Sequence, residues 1–248
     1  RKSSSKSGIK SSPLQTFLAF LVMIGGIVGL MGFAVLPWFD MSDAPAVSPI
    51  SGEPSTLQGV LNELDAQFAV LGGAGPQAEQ FRDALNAIKT QISGYDISLF
   101  IVGAQNELEL FGFDKFFELL LGELGGDLGD LEAESSESPA PLDYTIPLTG
   151  IMAGVAILLS LFMLSSQSIG SWITMIVVGI LGFAPLMYFY LDAVNTVFVS
   201  DSGDSVIADG ANFDPVDFLG QGFWVSVVGM LAVVILPFIA LLFAPSAE

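Results

Sequence analysis

Four runs of the chain are apolar almost without interruption: residues 14–36, 146–164, 171–190 and 222–243. A helix needs roughly 20 residues to cross a bilayer, and each run is near or above that length. No Asp, Glu, Lys or Arg falls inside the first, second or fourth run, and Asp192 sits just past the third. The pattern predicts four transmembrane helices. Residues 165–170 form a short turn between the second and third, and 191–221 form a longer loop before the fourth. The first run is longer than the 7–15-residue apolar core of a signal peptide. It is expected to remain in the protein, although Asp43-Ala44-Pro45-Ala46 imitates a cleavage site. The chain opens at Arg1, so an initiator Met or a short leader is expected to precede it.

Residues 37–145 are too many for a simple connection and carry patterns of their own. Pro45, Pro49 and Pro54 predict an extended start. Leu57, Val60, Leu61, Leu64, Phe68 and Leu71 recur at helical spacing, with Ser55 as a capping residue. After a Gly-rich break at Gly72 to Pro76, Phe81, Leu85, Ile88 and Ile92 make a second stripe. The two predict a helical hairpin over 55–92. Tyr95, Ile97, Leu99, Phe100, Ile101 and Val102 have the composition of a strand, 95–102. A Phe-rich helix is predicted over 113–124, and 125–141 is acidic, rich in Gly and Ser, and expected to be mobile. The fold class is therefore a mainly α integral membrane protein. It is a four-transmembrane-helix bundle with a large extracytoplasmic α/β loop domain.

Charge sets the expected orientation. Arg1, Lys2, Lys6 and Lys10 precede the first span, in a Ser-rich basic tail over 1–13 suited to anionic lipid. Residues 38–145 hold 19 acids and three bases, and 191–221 hold six acids and no base. Basic residues favour the cytoplasmic side. Both termini, including the tail 244–248, are thus expected in the cytoplasm and both acidic loops outside. A prokaryotic plasma membrane suits such a chain.

Composition removes several chemistries. Charged residues make up 13% of the 248, about half the share usual in soluble domains. The net charge of −19 argues against nucleic acid, which calls for a basic face. The absence of His and Cys excludes His-based triads, His-ligated haem, disulfides, Fe–S clusters and thiol catalysis. No Ser stands near a convincing base, and Glu107 and Glu109 lack a sugar-binding context, so the expectation is a protein that is not an enzyme.

A few residue groups remain candidates. Gly25 with Gly29, and Gly150 with Gly154, are small-residue pairs that let helices approach closely. They serve either a partner helix or contacts within the bundle, the latter being the simpler reading. Trp38, Trp172 and Trp224 fall near predicted membrane boundaries and are expected to anchor there. Pro185 and Pro237 are expected to kink the third and fourth spans. Phe113, Phe116, Phe117 and Leu120 form a patch that completes a small core, lies among headgroups or docks a partner. Asp201, Asp204 and Asp209 offer oxygen ligands of the kind Ca²⁺ takes. They lack a full calcium-loop spacing, and a solvated acidic loop is the simpler reading. No cofactor is expected beyond lipid contacts.

Three short segments carry a family resemblance. The first span ends in Leu36-Pro37-Trp38-Phe39-Asp40. Ser93-Gly94-Tyr95-Asp96-Ile97 lies late in the first loop, and the fourth span opens Gly220-Gln221-Gly222-Phe223-Trp224. With four spans and a large first loop, the chain resembles the claudin-like tetraspan membrane proteins, particularly their bacterial members. The resemblance implies a small antiparallel sheet above a left-handed four-helix bundle, with Trp38 opening one strand and Tyr95 to Val102 forming another. The chain departs from animal claudins in having no loop cysteines and no Gly-Leu-Trp signature, and the hairpin over 55–92 looks like an insertion. Sealing of junctions and paracellular pores therefore do not transfer. An architecture for lateral assembly and partner binding does.

Three functions follow from these features. The first is a non-enzymatic scaffold or accessory subunit that contacts the bilayer and other integral membrane subunits, or further copies of itself. The second is a cation-binding surface sensor using the acidic loops. The third is a passive pore, for which Ser160, Ser165, Ser166 and Thr174 are few and close to one end.

Overall fold

A computed structural model describes residues 13–71, 75–103, 110–112, 115–116, 119, 143–165, 168–195, 198–199, 212–213 and 215–243. In chain order the elements are α1 (Pro13–Ala34), β1 (Pro37–Asp40), β2 (Pro45–Val47), β3 (Pro54–Thr56), α2 (Leu57–Leu71), α3 (Pro76–Ala87), β4 (Gln91–Ser93) and α4 (Gly94–Ile101). A 3-10 turn at Asp143–Thr145 leads into α5 (Ile146–Ser165), followed by α6 (Ile169–Asn195), β5 (Phe198–Val199) and β6 (Asn212–Phe213). A second 3-10 turn, Pro215–Phe218, precedes α7 (Gln221–Leu242).

The four apolar runs become α1, α5, α6 and α7, each long and apolar enough to cross a membrane. At 1.5 Å per residue, the 22 residues of α1 span about 33 Å, close to the hydrocarbon thickness of a bilayer. The third span is longer than its apolar run suggested, because α6 continues through Asp192 to Asn195. Pro185 and Pro237 lie inside helices that run on past them. Each spanning helix packs chiefly on two others: α1 lies against α5 and α7, and α6 closes the ring against the same two.

The interior divides into two apolar clusters along the bundle. Leu18, Val22, Met163, Trp172, Met175 and Ala240 fill the end where α1 and α6 begin and α5 and α7 finish. Phe33, Trp38, Ile146, Leu186, Phe223 and Met230 fill the end where the long loops emerge.

Among the described residues the loop segments form three short antiparallel ladders, β1 with β4, β2 with β3, and β5 with β6. The Pro-rich start is extended as expected, and Pro45–Val47 pairs with Pro54–Thr56. The helical hairpin is shorter than the predicted 55–92. Ser55 belongs to β3, and the N-terminal turn of α2 is held instead by Thr56, whose Oγ1 accepts from the Gly59 N–H at 3.1 Å. The α3 helix ends at Ala87, so Ile88 and Ile92 of the second stripe are not helical. Where α2 and α3 meet, Phe68 stacks on Phe81 (centroids 5.7 Å) and Arg82 Nε donates to Asp65 Oδ1 at 2.7 Å. The guanidinium holds the Asp65 carboxyl below the usual carboxylate range.

The strand expected over 95–102 is a helix, α4, and the strand itself is the shorter β4 just before it. The cause is a capping box. Ser93 Oγ accepts from the Asp96 N–H (3.1 Å), and Asp96 Oδ2 accepts from the Ser93 N–H (3.0 Å). That reciprocal pair satisfies the first free amides of a helix, and it outweighs the β-prone composition of Ile97 to Val102.

Candidate functional site

The loop-bearing end of the bundle is organised around Trp38. Its strand pairs with β4, Pro37 opposite Ser93 and Phe39 opposite Ile92, so Trp38 is the extra residue of a β-bulge. Pro37 has no N–H to give to a regular ladder, and the bulge re-aims the indole. Phe33 and Phe223 meet its ring edge-on at 5.5 and 5.6 Å between centroids, and Phe189 lies tilted at 5.5 Å. The indole is fully buried. Its Nε1–H donates to Ser226 Oγ at 3.3 Å, and that hydroxyl donates to the Gly222 carbonyl at 2.9 Å.

Other parts of the chain close on this ring. A Cβ on Gly94 would sit 2.6 Å from Trp38 Cε2, so only glycine lets the start of α4 lie against the indole. The Gly220 N–H donates to the Trp38 carbonyl at 2.8 Å, and Phe39 forms a bridge with Leu219. A Cβ on Gly222 would strike the Leu36 carbonyl. The three segments singled out in the sequence, at 36–40, 93–97 and 220–224, therefore meet in one place. Their separation along the chain hid the reason for their residue types: Gly94 leaves room for the indole, Gly220 hydrogen bonds to the Trp38 carbonyl, and Gly222 lets α7 begin against the Leu36 carbonyl.

Asp96 adds an electrostatic tie. Burial opposes its charge, but the Ser93 hydroxyl and amide and the Lys89 ammonium more than offset this, and they hold its carboxyl below the ordinary range. Lys89 Nζ lies 3.4 Å from Asp96 Oδ1.

The glycine pairs divide. Gly25 and Gly29 lie where α1 meets α7: a Cβ on Gly25 would be 3.1 Å from the Gly229 carbonyl oxygen, and one on Gly229 would strike the Gly29 backbone. Gly150 lies against the Phe33 ring. Gly154 has nothing within 4 Å of an added Cβ, so among the described residues it makes no close helix contact. Among the expected interface anchors, Trp224 is exposed. Trp38 and Trp172 are buried in the bundle, so neither offers its ring to a headgroup. Nearness to a helix end could not distinguish an inward ring from an outward one. Trp172 Nε1 and Ser160 Oγ are buried without a hydrogen-bond partner.

Of the Phe-rich patch, Phe116 packs against Phe81 at 6.3 Å between centroids. Phe113, Phe117 and Leu120 lie outside the described residues, as do Asp201, Asp204 and Asp209. Among the described residues no group of three or more acidic side chains is placed to hold a metal ion.

The fold so described is that of a helical chain with four helices able to cross a membrane. Comparison with protein-family models, with curated protein sequences and with solved structures finds no match.

Proposed function

We propose that this chain is a non-enzymatic scaffold or accessory subunit of the plasma membrane, with the architecture of a claudin-like tetraspan. It assembles laterally with other integral membrane proteins. The observation that carries the reading is the convergence on Trp38, which fixes β1, β4 and α4 to the ends of α1 and α7. Such a joint makes the loop segments a rigid face of the bundle, as a docking platform requires. The interior supports the same reading: its two clusters are built of aliphatic, aromatic and Met side chains, and the buried hydroxyls of Thr149 and Ser226 are taken up by the carbonyls of Gly182 and Gly222. The charge distribution supports an orientation with both termini in the cytoplasm, since Arg1, Lys2, Lys6 and Lys10 all precede α1.

The test is gentle detergent extraction from native membranes, followed by a native gel and mass spectrometry of co-migrating chains. The expected result is a stable particle containing other membrane proteins. A lone chain of 26.1 kDa, or a ring of identical copies, would overturn the accessory-subunit reading.

A further inference from the structure

We propose that α4 is an interfacial helix, with the stripe Tyr95, Leu99 and Val102 immersed in the lipid of the leaflet on the loop side. This rests on α1, α5, α6 and α7 crossing a bilayer, and it adds a fifth, in-plane contact with that bilayer.

The position of α4 is set by Phe33, the penultimate residue of α1. A Cβ on Gly94 would lie 2.8 Å from the Phe33 ring, and one on Gly150 would lie 2.5 Å from it. Phe33 is thus held between the first residue of α4 and the fifth residue of α5. Four residues into α5 is about 6 Å along that helix. So α4 sits beside the final turn of the spanning helices, not above them, and it touches α1 and α5 directly.

Its faces fit that place. Gly94, Ser98 and Ile101 are buried against the bundle at helical spacing. Tyr95 and Leu99, with Val102 capping the helix, follow the same spacing about 100° around it; Tyr95 and Val102 are 52% and 59% exposed, and Leu99 is half-buried. No charge lies on this stripe. The one acid of α4, Asp96, is engaged by Ser93 and Lys89. An uncharged, exposed stripe on a helix that packs beside α1 and α5 at this depth meets the same solvent as their outer faces. The exposed rings of Tyr95 and Tyr144, the latter on the turn that touches α4, suit the headgroup level.

The chain has no cysteine, so single cysteines report alone. Tyr95→Cys and Val102→Cys, each in the full chain reconstituted in phospholipid vesicles, carry a nitroxide label. Collision with oxygen, which concentrates in lipid, is compared with collision with a water-soluble nickel chelate. Two further variants calibrate the scale: Leu158→Cys, 69% exposed in mid-α5, and Val70→Cys, 83% exposed on α2. The expected result is strong oxygen collision at 95 and 102, with nickel collision several-fold below that at 70. Strong nickel collision at 95 and 102, with 158 still in lipid, would overturn the proposal while leaving the membrane crossing intact. Protection from both reagents would also overturn it, because the stripe would then be covered by protein, whether a second copy or a partner. Strong nickel collision at 158 would overturn the membrane crossing itself, and the proposal with it.

Discussion

Trp38 and Trp172 are both buried indoles, and they differ in one hydrogen bond. Trp38 Nε1 has Ser226 as its acceptor, whereas Trp172 Nε1 has no partner. An unpaired buried N–H costs about 1–3 kcal/mol. Trp172→Phe loses volume but removes that cost, whereas Trp38→Phe loses volume and leaves Ser226 without its donor. Thermal melts in detergent are therefore expected to show the larger loss for Trp38→Phe. A cycle with Ser226→Ala should give a coupling of about 0.6 kcal/mol, the average for side-chain hydrogen bonds between membrane helices. Trp38→Ala should cost about 3–5 kcal/mol through the cavity it leaves.

Asp96 supplies a pH dependence. Its folded carboxyl lies below the unfolded value of about 3.9. Its contribution to stability is therefore complete above that value and is lost as pH falls through the lowered one. Melting temperature followed from pH 6 down to strongly acid buffer should drop less steeply in Asp96→Asn than in the parent chain. Equal slopes would show that Asp96 carries none of the acid sensitivity.

At the scale of elements, the α1–α7 contact is made by backbone. Gly229→Leu has no room beside Gly29, and overpacking of this kind costs about 1–3 kcal/mol or more. Gly154→Leu enters open space and should leave the melting temperature nearly unchanged. A chain that tolerates both substitutions would show that α1 and α7 do not approach as described.

Elements also show what could be read from the residues alone. The spans were legible because an unbroken apolar run of 20 residues has few other fates. The α2–α3 pair was legible from its 3.6-residue stripes, though Thr56 and not Ser55 starts α2, because Ser55 is already committed to pairing with Ala46. The misreading of 95–102 had its remedy in the same segment. Ser93-x-x-Asp96 before an apolar run is a helix-start signal, and strand-like composition masked it. The joint around Trp38 was not legible, because no local pattern links residues 38, 94 and 222. The segments are conspicuous in the sequence, but only the fold brings them into contact. Nor could the sequence tell that Gly25 and Gly29 face α7 while Gly154 meets none of the described residues, since spacing alone does not tell one helix face from another.

At the scale of the whole molecule, the pattern of contacts bears on biogenesis. The aromatic and hydroxyl groups that enclose Trp38 come mostly from α6 and α7, and the closest backbone contact of α1 is with α7. Of the four spanning helices, the one synthesised earliest thus has its tightest partner in the one synthesised latest. Until that last helix arrives, the indole lacks its acceptor and the glycine face of α1 lacks its counterpart. A nascent chain stalled after α6 should therefore be open along one side. In a membrane that holds proteases able to recognise such an opening, completion of the joint would separate finished molecules from unfinished ones. A chain truncated before Gly220 should turn over faster than the full one, even though three of its four spans are intact.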